Sequence, residues 1–91
     1  MRIQKNLAEV RERLNKARED LRIAQEQVVF LGDVLEDAKT RALVSETPLA
    51  DREYQDAQGD YQRACKARDR VAEEIKELEA EQDRLLDKML G

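Results

Sequence analysis

The chain has 91 residues and a formal net charge of −4; 42% of it is charged and only 3% aromatic. So few large side chains exclude a conventional globular core, and an acidic balance without Trp excludes the basic stripe and stacking platforms of a nucleic-acid binder. Apolar residues still reach 41%, too many for a solvated tail, and the wealth of Ala, Glu, Lys, Leu and Arg is that of long helices and coiled coils.

The start, Met1-Arg2-Ile3-Gln4-Lys5-Asn6, leads into a charged periodic segment with no apolar signal-peptide core. No apolar run approaches the roughly 18 residues of a membrane span. Cys65 is alone, so an internal disulfide is impossible and a reducing cytoplasm is the expected setting. With no His and one Cys, no metal site of the transition-metal kind is expected.

A first helix is predicted over about 2–44. Leu7, Leu14, Leu21, Val28, Leu35 and Ala42 recur every seventh residue, as do Ile3, Val10, Ala17, Ala24, Leu31 and Ala38. Such a sustained heptad is the signature of a coiled coil. Three more apolar residues, Ile23, Phe30 and Val34, form with Gln27 a helical stripe off this seam, and Val29 lies nearby. Gly32 falls in the same stretch, and Gly59 at nearly the same height of the second helix, marking a bend or a close backbone approach.

The turn is predicted at about 45–48. Thr47 is a good N-cap, Pro48 suits the first helical position, and the residue before a proline resists the α region. A second helix follows over about 48–90, with Ala50, Ala57, Ala64, Val71, Leu78 and Leu85 as one row. Tyr54, Tyr61, Arg68, Ile75, Gln82 and Met89 form the other.

Folding the chain at residue 46 brings Leu7 opposite Leu85, Leu14 opposite Leu78, Ala17 opposite Ile75, and the two tyrosines opposite Leu31 and Ala38. The flanking charges agree: Arg13 reaches Glu81, Arg11 reaches Glu79, Arg41 reaches Glu53 and Lys39 reaches Asp51, with Asp20 near Glu74 as the one like-charge pair. A parallel dimer of either helix would align like charges instead. The predicted fold is therefore all-α: one antiparallel two-helix coiled-coil hairpin spanning 1–91. A ribbon so small needs further burial, which a homodimer in the form of a four-helix bundle would supply.

Catalysis is not expected. Acidic pairs such as Glu73-Glu74 abound, but a general acid or base needs a desolvated pocket that two helices do not make. Cys65, between Lys66 and a seam position, reads as a small seam-edge residue. The expected working surface is the mid-hairpin patch of Ile23, Gln27, Val29, Phe30 and Val34, at a height where both edges of the seam carry residues such as Gln25, Gln58, Ala67 and Ala72 rather than charges. The expected function is a non-enzymatic protein-protein interaction or regulatory module, without cofactor, membrane, small ligand or direct nucleic-acid contact. Helical-hairpin anti-sigma factors share this architecture, but some trap a nucleotide between hairpins, and no repeated motif joins Arg22, Arg63 and Arg70 here.

The tip offers another reading. Glu46, Asp51 and Glu53 make it acidic, and the segment Leu49-Ala50-Asp51-Arg52-Glu53-Tyr54-Gln55-Asp56-Ala57 resembles the tip of the N-terminal hairpin of bacterial Gre-type transcript-cleavage factors. That resemblance implies insertion into the RNA polymerase secondary channel, with the acids helping to hold a catalytic Mg²⁺. A Thr-Pro turn stands where that family has an acidic-Asn turn, and no second domain follows. A purely structural spacer is a third reading.

Overall fold

The computed structural model describes residues 2–91. They form two helices, α1 (Arg2–Ser45) and α2 (Pro48–Leu90), packed as an antiparallel hairpin, and no strand occurs among the described residues. The boundaries match the heptad pattern and the proline to within a residue.

Only Glu46 and Thr47 connect the helices, and each is used to close one of them. Glu46 takes the left-handed conformation, φ 51°, and its N–H donates to the Ala42 carbonyl at 3.2 Å. This is the single-bond αL cap that usually employs glycine. Thr47 caps the second helix: its Oγ1 accepts from the Ala50 N–H at 3.2 Å and its carbonyl from the Asp51 N–H at 3.1 Å. Pro48, lacking an N–H, sits where no donor is needed.

Every buried hydrophobic residue lies on one of the expected rows: Val10, Leu14, Ala17, Val28, Ala38, Ala50, Ala57, Ala64 and Leu78. No side-chain polar atom among the described residues is buried without a partner. The contacts divide the hairpin into two compact units. The open-end unit comprises Met1–Arg22 and Asp69–Gly91; its core is Val10, Leu14, Ala17 and Leu78, with Ile75 and Leu85 packed against them. Here two leucines, Leu14 and Leu78, are almost wholly removed from water.

The turn unit, Ile23–Arg68, is built differently. Its buried residues are Val28, Ala38, Ala50, Ala57 and Ala64, while Leu31, Leu35, Tyr54 and Tyr61 are only half-buried. Small side chains let helices approach but bury little area, so this seam removes less apolar surface from water. Gly32 belongs to the same close packing, because a Cβ there would stand 3.3 Å from the Tyr61 ring. Gly59 serves no such contact; a Cβ there would meet only the mobile end of the Arg63 side chain.

The ion pairs confirm the antiparallel register, keep one expected partner and change another, while among the described residues the expected pairs Arg13–Glu81 and Lys39–Asp51 do not form. Arg41 and Glu53 face each other as expected, at 3.9 Å. Glu79, expected on Arg11, is instead 3.9 Å from Arg18, one heptad further along the same edge. Helical side chains lean toward the N-terminus of their own helix, so in an antiparallel pair Arg18 and Glu79 lean toward each other and Arg11 leans away. Arg11 lines a cleft at the open end instead.

Candidate interaction surface

Within the turn unit, the thin alanine seam leaves large apolar side chains outside. Phe30 is 61% exposed and Ile23 51%. At about 100° per residue, Ile23 lies only some 20° around the helix from Phe30, one heptad before it, so the two form one ridge. Gln27 is exposed beside them, whereas Val34 is half-buried and seats the ridge against the hairpin. Val29 is 65% exposed but about 100° away on the wheel, on the outer flank. The five residues singled out by periodicity thus divide: Ile23, Gln27 and Phe30 share an open face, Val34 supports it, and Val29 points elsewhere.

Next to the ridge, a shallow groove of about 380 Å³ runs between the helices, lined by Gln27, Leu31, Asp60, Arg63 and Ala64. Asp60 and Arg63 are paired to each other, so the groove wall carries no uncompensated charge. An apolar ridge beside a shallow, charge-neutral groove can receive a helix, with one side chain of the incoming helix in the groove.

Cys65 is a half-buried free thiol in this unit. Its proximity to the Tyr61 hydroxyl one turn earlier, followed by desolvation, raises that hydroxyl above its usual value of 10.0. Arg68 opposes the shift. The arrangement makes Cys65 a packing partner of the seam tyrosine.

At the turn the acids do not converge. Glu53 is held by Arg41, Asp51 stands in the first turn of α2, and Glu46 forms the αL cap. No group of three His, Cys, Asp or Glu side chains placed to hold a metal exists among the described residues. What heptad reading missed is that Leu43, Val44 and Leu49 are 70%, 79% and 67% exposed around this tip. They follow no seam row, and their only sequence signal was apolar residues immediately flanking a predicted turn.

The open-end unit has its own cleft of about 420 Å³, lined by Gln4, Leu7, Ala8, Arg11, Gln82, Leu86 and Met89. It is the splayed end of the seam, where Met89 is already 50% exposed. Of the arginines considered for a nucleotide, Arg22 pairs with Glu19 and Arg63 with Asp60. Among the described residues no helix is long and apolar enough to cross a membrane. No protein-family model, curated protein or solved structure matches the chain.

Proposed function

We propose that the chain is a non-enzymatic interaction module, a helical hairpin that receives a partner helix on the turn-unit face of α1 around Ile23 and Phe30. The observation that carries this reading is the exposure of Phe30 and Ile23 on one ridge, next to a seam that alanines close without them. Leaving two such side chains in water forgoes roughly 1.5–3 kcal/mol each, and a partner helix would recover much of it. A second copy, completing a four-helix bundle, and a helix of another protein are the two classes of occupant. Regulation of transcription by an anti-sigma type of contact is one setting for such a module, and the single thiol suits a reducing cytoplasm.

The experiment is a paired comparison of wild type with an Ile23→Asp/Phe30→Asp variant. Expected is an unchanged helical spectrum, since neither residue is buried, together with loss of self-association or of proteins cross-linked to the wild type. Identical mass, stability and cross-linked products for the two would sink the reading. The polymerase-channel alternative makes a different demand: Glu46→Ala with Asp51→Ala should abolish an effect on transcript cleavage, whereas the interaction-module reading expects no cleavage activity to abolish.

A further inference from the structure

We infer that the occupant of the Ile23–Phe30 face is a basic amphipathic helix of another protein and not a second copy of this chain, an inference that rests on the docking reading above. The argument is the charge around the ridge. Between Ile23 and Ala38 the helix carries Glu26, Asp33, Glu36 and Asp37 and no Lys or Arg. With Phe30 as the origin, Glu26, Asp33 and Asp37 fall within about 60° of it on one side, directly flanking the ridge. Asp33 and Asp37 are exposed, and among the described residues neither enters an ion pair. The nearest cations do not answer them, since Arg63 on α2 is taken by Asp60, and Arg41, one turn beyond Asp37 on α1 itself, is taken by Glu53.

A second copy fits this face badly. A two-fold axis through Phe30 sets Asp37 against Ile23 and, by symmetry, Ile23 against Asp37, which buries two carboxylates on aliphatic carbon without a counter-charge. A parallel pairing sets the acids on one another. A helix with an apolar stripe flanked by Lys or Arg would instead cover Phe30 and Ile23 and place its cations over Asp33 and Asp37. Electrostatic complementarity of this sort selects the partner and speeds encounter more than it adds affinity.

The test uses the full chain and two synthetic amphipathic helices of roughly five turns, one of Leu and Lys, the other of Leu and Glu. Binding is followed by calorimetry at low and high salt, alongside light scattering of the protein alone. The wild type should be monomeric, bind the Leu/Lys helix with strong salt dependence and ignore the Leu/Glu helix. Phe30→Asp, and separately Asp33→Lys with Asp37→Lys, should each weaken binding by about tenfold or more. Glu73→Lys with Glu77→Lys makes the same change in net charge on exposed sites of α2 and should leave binding within about twofold. Equal losses in the two reversal pairs would overturn the inference, because attraction would then follow net charge alone. A wild-type dimer that Phe30→Asp dissociates would overturn it too, while leaving the docking reading intact. A monomer that binds neither helix would overturn both.

Discussion

The two mid-helix glycines, alike in sequence, occupy different surroundings. A methyl group at Gly59 meets only a flexible guanidinium, so Gly59→Ala should add close to the intrinsic helix preference, about 1 kcal/mol. At Gly32 the same methyl presses on the Tyr61 ring at 3.3 Å, and the gain should be cancelled or reversed. Thermal melts of the two variants will check this; equal stabilisation would mean that Tyr61 does not lie over α1. Glu46 is the converse case, a side-chain-bearing residue in a left-handed position. Glu46→Gly should raise stability by about 0.5–1 kcal/mol, the steric relief outweighing the extra freedom of the unfolded chain. Tyr61 supplies a titration. Its hydroxyl sits above the usual value, so whatever stability it contributes is present below about pH 10 and lost as the pH rises through the folded value. Cys65→Ala should bring the phenolate absorbance change of Tyr61 down toward the usual value of 10.0. An unmoved midpoint would mean that Cys65 does not set the Tyr61 value.

At the level of the helices, seven-residue spacing together with the Thr47-Pro48 pair was sufficient to place both elements, the turn and every buried position. What spacing could not show was how differently the rows would be used. Leu14 and Leu78 make a deep layer in one unit, whereas Ala38, Ala57 and Ala64 close the seam in the other. Leu14→Ala should therefore cost about 2–5 kcal/mol, the range for a fully enclosed leucine. Phe30→Ala should cost far less in the isolated chain, because Phe30 is largely in water. Comparable losses in denaturant melts would mean that Phe30 is covered. The ion pairs were legible as edges but not as partners, since heptad position gives the edge while the lean of each side chain decides which residue is reached. Hence Glu79 went to Arg18 and Arg41 kept Glu53. The candidate site was half legible: position off the seam rows marks Ile23 and Phe30 as apolar residues the seam does not use, and both are exposed. Only the packed helices distinguish Val34, folded against the hairpin, from Phe30 on its ridge, and only they expose Leu43, Val44 and Leu49 at the tip.

For the hairpin as a whole, the division of buried side chains gives the two units unequal roles. The leucine layers and their cluster hold the open end, and the alanine seam with its two-residue, doubly capped turn holds the other. Thr47→Ala removes the acceptor that serves the Ala50 N–H and should cost about 1 kcal/mol, readable as faster amide exchange at the start of α2. Arg2 and Leu90 belong to the same unit, each at the outer end of its helix. A tensile load applied across those two ends would peel the helices apart layer by layer instead of shearing them along their length. The Leu14 and Leu78 cluster is then the latch of this unit, and its rupture should set the peak of the force trace.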